Sequence, residues 1–537
     1  MFHQLLTPIG GNLVFSFVVA AIPIATVLIL LGMVRRPAWE ASLAGLVVGF
    51  AIAVIFWKMP AGLALDSAAA GGVFALWPVM WIVFNALLLF NLTVQTGRFD
   101  AFRRWVVDNL PADRRVALVV IGFCFGALLE GIAGFGAPVA ITSALLIALG
   151  MPALEALTFT LIFNTAPVAF GALGTPVTTL GAVTHLPDAV LGAMIGRQLP
   201  FVALLLPFYA IGVYGGLRSV RALWPVLAVA GASFALAQFV ASNYVNFNLT
   251  DVLASLVSLA ATIGFLRVWR PAPDPQFAIS SAAAATAGAP DSHHGGPTWQ
   301  GWAPWLLVSA VVIGWTLMKI SAHGEAKLPW PGLDKAVFIT LYNKPYAAVW
   351  DFQPLATGTA ILATTLLTAI GFRAGPGIFL AALLATWRQA RLAIATVVLI
   401  VSLAYLMNYS GMTYTLGLAV ASAGPAFPLV SAFLGWIAVF LSGSDTSGNA
   451  LFGNLQVVAA RQLHLSPILI AATNSSGGVM GKMISPQNIS TGTATTEFKG
   501  KEGLVLARTF KHSVILTVLL GVLVVLQQYV FAWMIPG

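Results

Sequence analysis

The stretch FLSGSDTSGNALFG, Phe440–Gly453, interrupts one of the most apolar parts of the chain. The residues before it, Leu429–Leu441, are almost all hydrocarbon, and the segment after it stays mostly apolar as far as Ala460. Six polar side chains and three glycines nevertheless stand together at what the flanking residues predict to be membrane depth. Inside a bilayer an unpaired backbone group costs several kcal/mol, so a break of this kind survives only where protein or a watery cavity surrounds it.

The composition of the whole chain supports a membrane setting. The chain has 537 residues, of which 59% are hydrophobic and 8% are charged, whereas an ordinary soluble domain is about 45–50% apolar and about 25% charged. Many windows of about 20 apolar residues occur, each enough to cross a bilayer core of about 30 Å. These runs are continuous and lack the alternation of a β-barrel. The sequence therefore predicts an all-α polytopic membrane protein with about 12–14 transmembrane helices.

The net charge of +9 reflects the orientation of the chain in the membrane and does not indicate an acidic binding partner. Basic residues concentrate in short loops, above all in residues 97–115 and at Arg267 and Arg270. This positive-inside pattern places the 97–115 loop in the cytoplasm and the N-terminus outside. We expect no nucleic-acid partner. Cys124 is the only cysteine, so neither an intrachain disulfide nor a cysteine metal cluster can form.

Two segments are not membrane-like. Residues 271–300 are rich in Pro, Ala, Ser and Gly and are predicted to be a disordered cytoplasmic loop. They divide the chain into an N-terminal half, 1–270, and a C-terminal half, 301–537. Residues Lys319–Asp351 mix polar and aromatic side chains and are predicted to form an external loop.

The two halves share an internal similarity. Asn164–Pro176 aligns with Asn474–Pro486 at an offset of 310 residues (474 minus 164), and the same offset brings Gly134 onto Ser444. We therefore predict one re-entrant hairpin and one broken helix in each half: hairpins near 130–140 and 442–454, and broken helices near 164–176 and 474–488. Paired Gly/Pro-interrupted segments in corresponding positions are the best sequence indication of a transporter binding site.

Three charged residues in these breaks invite a functional reading. Acids inside a membrane are expensive and usually functional, so Asp445 and Glu130 are the candidate proton carriers. Glu130 could instead be a carboxylate hydrogen-bonded for local structure. Lys482 is either a substrate countercharge or a residue that snorkels to the interface. A Gly/Ser-rich break could also reflect close helix packing through small residues.

Four segments together resemble the bacterial L-lactate permease family: EGIAGFGAPVAI (Glu130–Ile141), NTAPVAFGALGTP (Asn164–Pro176), SGSDTSGNALFGNLQ (Ser442–Gln456) and GGVMGKMISPQNI (Gly477–Ile489). The resemblance implies proton-coupled uptake of lactate, and often of glycolate, across the bacterial inner membrane. It also implies inverted repeats and an elevator-like movement.

From this resemblance and the polar breaks we predict the substrate-binding residues. Hairpin-tip backbone N–H groups would meet the carboxylate, and Asn, Ser and Thr side chains would meet the 2-hydroxyl group. The predicted set is Gly134, Phe135, Gly136, Asn164, Thr165, Thr175, Ser444, Thr446, Ser447, Asn449, Asn474, Ser475, Lys482 and Gln487.

Several alternatives remain open at this point. Sodium could replace the proton as coupling ion, because Asn, Ser and Thr side chains with unwound carbonyls also build cation sites. A membrane enzyme lacks support, since no zinc-protease motif or nucleophile elbow occurs. A channel would need a continuous polar pore. We expect no metal and no cofactor beyond the coupling ion. The expected partners are lactate or glycolate and the lipid bilayer, and a homodimer is compatible with the sequence.

Overall fold

The computed structural model describes residues 1–34, 36–132, 137–279, 299–493, 496–498 and 501–537. The helices of the N-terminal half are α1 Leu13–Gly32, α2 Ala38–Ile55, α3 Ala61–Phe74, α4 Trp81–Gln95, α5 Arg98–Asp108, α6 Arg114–Ala117, α7 Gly126–Ile132, α8 Ala137–Ala148, α9 Ala153–Phe163, α10 Gly171–Thr184, α11 Asp188–Ile195, α12 Leu199–Val240 and α13 Thr250–Val268. Those of the C-terminal half are α14 Trp299–Leu317, α15 Thr357–Gly371, α16 Pro376–Ser410, α17 Met412–Val420, α18 Phe427–Ser442, α19 Asp445–Gln462, α20 Pro467–Lys482, α21 Pro486–Thr493 and α22 Glu502–Tyr529.

The predicted all-α membrane architecture is confirmed for the described residues. They contain ten helical stretches long and apolar enough to cross a bilayer, or eleven if the bent pair α9–α10 counts as one more. This number is lower than the expected twelve to fourteen helices, because hairpin arms and broken helices such as α8 are too short to count as spans.

Helix α12 crosses the membrane once more than the count of helical stretches indicates. The carbonyl oxygen of Leu204 lies 2.5 Å from where a Cβ atom on Gly231 would stand. In a straight helix these two residues would be about 40 Å apart. The chain therefore reverses inside α12, at Gly216, whose φ of 71° lies in the left-handed region that glycine tolerates best.

Within the described residues, the strands lie at the N-terminus and in the segment predicted as an external loop. They are β1 Phe2–His3, β2 Ala326–Pro329, β3 Val337–Ile339, β4 Lys344–Pro345 and β5 Val349–Phe352. One small sheet has the order β1-β3-β4, and β2 pairs with β5. The loop is thus a folded cap that also holds the N-terminus, rather than an irregular connection.

The length of α16 defines two faces of the molecule. It begins near Phe372, whose ring lies under the Arg98 guanidinium at 5.0 Å. It ends at Tyr409, whose hydroxyl donates to the carbonyl of Ala347 at 3.2 Å. Its 35 residues span about 52 Å, so these ends lie on opposite sides of the membrane. We call them the basic face, which carries Arg98, and the loop face, which carries residues 319–352.

Several helices of both halves are interrupted or bent. The helices α18 and α19 meet at Gly443 and Ser444, and α20 and α21 are separated by residues 483–485. In the N-terminal half, α9 and α10 bend by 63°. Residues 133–136, between α7 and α8, lie outside the described residues.

The corresponding elements of the two halves pack reciprocally. The arm α8 packs on α21 of the other half, and its counterpart α19 packs on α10. Beyond the end of α8, the Gly150 carbonyl accepts a hydrogen bond from Arg114 at the basic face. Near the end of α19, the Arg461 guanidinium lies over the Tyr342 ring at the loop face. Equivalent arms thus end on opposite faces, as inverted repeats would require; the elevator movement stays a prediction.

Candidate functional site

The four broken elements surround one small polar cavity, which we call the central cavity. It measures about 50 Å³. Its lining comes from the end of α7, the bend before α10, the α18–α19 junction, the end of α20 and the start of α21. The lining residues are Glu130, Val168, Gly171, Ala172, Pro176, Gly443, Ser444, Asp445, Thr446, Lys482, Gln487 and Asn488.

The central cavity lies about midway between the two faces. Glu130 follows Arg114, at the basic face, by 16 residues of a nearly continuous helical stretch, which is about 24 Å. Ser466 lies five residues beyond Arg461, which is at the loop face. Lys482 follows Ser466 by 16 residues, which is again about 24 Å. Transporters with broken helices place their substrate sites at this depth.

An ion pair closes one side of the cavity and joins the two halves. The Lys482 Nζ atom donates to Glu130 Oε1 at 2.6 Å, and both side chains are buried. The second oxygen of Glu130, Oε2, accepts a hydrogen bond from the Asn164 side-chain amide at 2.9 Å. Lys482 stands in the last turn of α20, where the helix dipole favours a cation. Glu130 is therefore a paired carboxylate, and the interpretation of Lys482 as a residue snorkelling to the interface is wrong.

The glycine at position 171 makes this arrangement possible. A Cβ atom on Gly171 would stand 2.9 Å from Glu130 Oε1, so any side chain there would displace the carboxylate. The following three residues, Ala172, Leu173 and Gly174, have left-handed backbone angles. Such angles cost of order 1–3 kcal/mol for each non-glycine residue and cluster at functional sites.

Asp445 is the second acid of the cavity. The Ser475 hydroxyl donates to its Oδ2 at 2.5 Å, and the Asn449 side-chain amide donates to the same oxygen at 3.3 Å. Its Oδ1 is buried and accepts no hydrogen bond from the described residues. Ser444 caps α19, because its hydroxyl accepts the backbone N–H of Ser447. One oxygen of Asp445 is thus held by two donors, whereas the other lies beside Gly478 without a hydrogen bond from the described residues.

A chain of amide side chains supports Asp445 from behind. Asn449 donates to the carbonyl of Pro176 at 3.1 Å, a contact between the two halves. Asn474 donates to Asn449 Oδ1 at 2.9 Å, and Gln456 donates to Asn474 Oδ1 at 2.6 Å. Because each amide is fixed by the next, the network positions Asn449 against Asp445.

The predicted residues fall into four groups. Glu130, Ser444, Asp445, Thr446, Lys482 and Gln487 line the cavity. Asn164, Asn449, Asn474 and Ser475 form the supporting layer through the hydrogen bonds described above. Thr165 and Thr175 donate to backbone carbonyls, and Ser447 belongs to the cap of α19; none of these three lines the cavity. Gly134, Phe135 and Gly136 lie outside the described residues.

Two further residues were not singled out by the sequence. Asn488 lines the cavity and donates from its side chain to the Gly443 carbonyl at 3.0 Å. Asp251 is a buried acid near Glu130, in the otherwise apolar α13. The rule applied to Asp445, that an acid in an apolar span is expensive, would have found Asp251 as well.

Comparison with known proteins gives matches over nearly the whole chain. The family model described as L-lactate permease matches residues 16–531. The chain belongs to the L-lactate permease family. An L-lactate permease of Escherichia coli K12 is 40% identical over 98% of both chains. A glycolate permease of the same strain is 41% identical over 99% of both chains.

One solved structure supports the fold. The Neisseria gonorrhoeae protein MtrF, described as illuminating a class of antimetabolite efflux pumps, matches with a TM-score of 0.50. The match covers 94% of this chain and 97% of that one at 13% identity, which supports the membrane-transporter architecture alone. Together with the bacterial relatives and the apolar stretches, these findings make the chain a multi-pass protein of the bacterial inner membrane.

Proposed function

We propose that this protein imports L-lactate, with glycolate or other small 2-hydroxy monocarboxylates as further substrates, by symport with a proton. The relatives at 40–41% identity are named lactate and glycolate permeases. The single observation that carries the coupling is the Glu130–Lys482 ion pair at the wall of the central cavity. The protein acts as a carrier and performs no covalent chemistry on its substrate.

The ion pair gives a physical reason for obligatory coupling. Lactate is a monoanion at neutral pH, because a carboxylic acid has a pKa near 4. When its carboxylate takes the Lys482 ammonium, Glu130 loses its countercharge. An unpaired buried carboxylate costs several kcal/mol, so Glu130 then binds a proton. The empty site, which holds the ion pair, is neutral, and so is the site loaded with both lactate and a proton. A site that holds lactate alone, or the proton alone, carries a net charge.

The neutrality of the loaded site also serves accumulation. Moving one negative charge against a negative interior costs about 2.3 kcal/mol per 100 mV. Carrying one proton with each lactate removes this cost and lets the pH gradient drive uptake.

Asp445, which also lines the central cavity, is the second candidate proton carrier. Its Oδ1 is buried and accepts no hydrogen bond from the described residues, so a bound proton would remove the cost of an unpaired charge on this oxygen. Gln487 and Asn488, at the start of α21 beside Gly443 and Lys482, offer amides for the 2-hydroxyl group.

Sodium coupling is the second candidate. The hydroxyl oxygen of Ser485 and Asp445 Oδ1 are both buried without a hydrogen-bond partner among the described residues. Both flank the α18–α19 junction, since Ser485 Oγ lies 2.8 Å from the Cβ position of Gly443. Oxygen ligands of this type also suit Na⁺.

Uptake of labelled L-lactate into proteoliposomes distinguishes these two mechanisms. One set of vesicles receives only an inward pH gradient and another only an inward sodium gradient, both with the membrane potential clamped. Accumulation under the pH gradient alone supports proton symport. Accumulation that requires sodium contradicts it, and the absence of lactate uptake under either gradient contradicts the proposed substrate.

A further inference from the structure

We propose that Asp251 is a proton-carrying residue of the transport cycle, which exchanges a proton with Glu130 from the side away from the substrate. This inference rests on the proton symport proposed above. Asp251 does not line the central cavity, so it would give the proton a position that lactate cannot occupy.

Asp251 packs against the residue that follows Glu130 in α7. Its Cβ atom lies 2.7 Å from where a Cβ atom on Gly131 would stand, and Gly131 follows Glu130 in the chain. The depths of the two acids also agree. Asp251 precedes Arg267, which contacts Asn109 at the basic face, by 16 residues of α13, or about 24 Å. Glu130 is separated from Arg114 by the same 16 residues.

The carboxyl group of Asp251 is buried without partners. The residue is 1% exposed, and neither Oδ1 nor Oδ2 accepts a hydrogen bond from the described residues. An acid in the first turn of a helix commonly receives backbone N–H groups, but this one receives none. An ionised carboxylate without partners is costly in such a place, so Asp251 holds a proton when Glu130 is paired with Lys482.

The electrostatic surroundings of Asp251 couple it to the substrate site. The charged groups that act on it are Glu130 of α7 and Lys482 of α20. Of the other helices packed on α13, α10 and α14 carry no charged residue, and the charged residues of α12, Arg218 and Arg221, lie toward the basic face. Two neighbouring carboxyl groups resist simultaneous ionisation.

The exchange follows from this arrangement. When lactate takes Lys482, the O–H bond of Asp251 breaks and an O–H bond on Glu130 forms, so one proton moves and the negative charge passes transiently to Asp251. The positive end of the α13 dipole, at the N-terminus of the helix, is next to that charge. An H3O+ ion from solution then gives a proton to Asp251 and leaves water, and this second proton is the one that enters the cycle.

The test compares Asp251→Asn with the wild type in proteoliposomes. Asparagine keeps the shape of aspartate but cannot carry a proton. We expect Asp251→Asn to lose at least tenfold in lactate accumulation driven by a pH gradient, and in the accompanying proton influx measured with an internal pH dye. Lactate–lactate exchange at equal acidic pH should stay within about twofold, because Glu130 then stays protonated. Asp188→Asn, at a partly buried aspartate in the first turn of α11, serves as the matched control.

A second variant separates proton transfer from folding. Asp251→Glu keeps the acid, so it should recover part of the accumulation that Asp251→Asn loses. Loss of both accumulation and exchange in both variants would mean a structural role and overturn the inference. Wild-type accumulation by Asp251→Asn would overturn it too, while leaving proton symport intact. A wild-type protein that ignores the pH gradient would instead refute the proposed function.

Discussion

Two buried ion pairs of this protein differ in the way their charges are held. At the basic face, Arg115 makes hydrogen bonds to both oxygens of Asp113 and to Ser219, contacts Asp274 at 3.3 Å and lies over the Phe277 ring. At the central cavity, the Lys482 ammonium contacts, among the described residues, a single oxygen of Glu130. The arginine is fixed by several groups of its own neighbourhood, whereas the lysine has one ionic contact, and this contact crosses between the halves.

This difference indicates which of the two ion pairs can exchange a partner for the substrate carboxylate. The planar guanidinium of arginine suits several simultaneous partners, whereas the lysine ammonium is a compact charge on a flexible stem. A substrate carboxylate can replace one oxygen at Lys482 without dismantling other contacts. The Arg115 cluster, far from the cavity, ties residues 113–115 to the Asp274–Phe277 segment and stabilises the fold.

The largest expected effect comes from removing the exchangeable cation. Lys482→Met should lower lactate uptake at least a hundredfold, because the substrate carboxylate loses its countercharge. The variant should still insert and purify, since a neutral Glu130 can be accommodated by binding a proton. Uptake and yield of purified protein are measured together. Uptake above a tenth of the wild-type rate would show that Lys482 does not bind the substrate.

The next effect concerns Glu130. Glu130→Gln should abolish accumulation under a pH gradient, because glutamine cannot bind the coupled proton. Lactate exchange should persist and become independent of pH between 5.5 and about 8, since the amide imitates the protonated acid. Exchange that still falls steeply as pH rises would assign the coupling proton to another group.

A substitution in the Arg115–Asp113 pair should lower the stability of the protein and leave transport nearly unchanged. Arg115→Met leaves Asp113 buried without its cation, and breaking a buried pair in this way costs about 3–5 kcal/mol. Thermal unfolding in detergent should occur at a clearly lower temperature. Uptake per correctly folded molecule should stay within about twofold of the wild type. A selective loss of uptake with unchanged thermal stability would abolish the distinction between the two pairs.

The smallest effect should follow from removing a hydrogen bond that Glu130 accepts. Asn164→Ala removes the amide that donates to Glu130 Oε2. A hydrogen bond to a charged group contributes about 1.5–3 kcal/mol, and its loss disfavours the ionised form of Glu130. Uptake should therefore persist to a higher pH than in the wild type. A shift to lower pH would contradict this assignment of the amide.

The sequence allowed much of this to be anticipated, for identifiable reasons. Continuous apolar runs predicted the helices, and the polar break at Phe440–Gly453 predicted Asp445 at membrane depth. The offset of 310 residues pairs segments of the two halves that both contain a helix break, at the α9–α10 bend and at residues 483–485. These features are local in sequence, so pattern alone reveals them.

Long-range pairings could not be read in the same way. Glu130 and Lys482 are 352 residues apart, and only the packing of the two halves brings them together. Lys482 therefore left two interpretations open until its burial was known. Asp251 was overlooked because no glycine or proline break marks its position in α13, and the folded external loop was missed because its strands are only two to four residues long.

The most direct test of coupling through the Glu130–Lys482 pair is proton uptake on substrate binding. Purified protein in weakly buffered detergent solution at pH 7.5 receives L-lactate, and a pH indicator records protons taken up for each lactate bound. We expect close to one proton per lactate for the wild type and almost none for Glu130→Gln, which should still bind lactate. Lactate binding without proton uptake by the wild type, or equal proton uptake by both proteins, would contradict the exchange of Glu130 for substrate at Lys482.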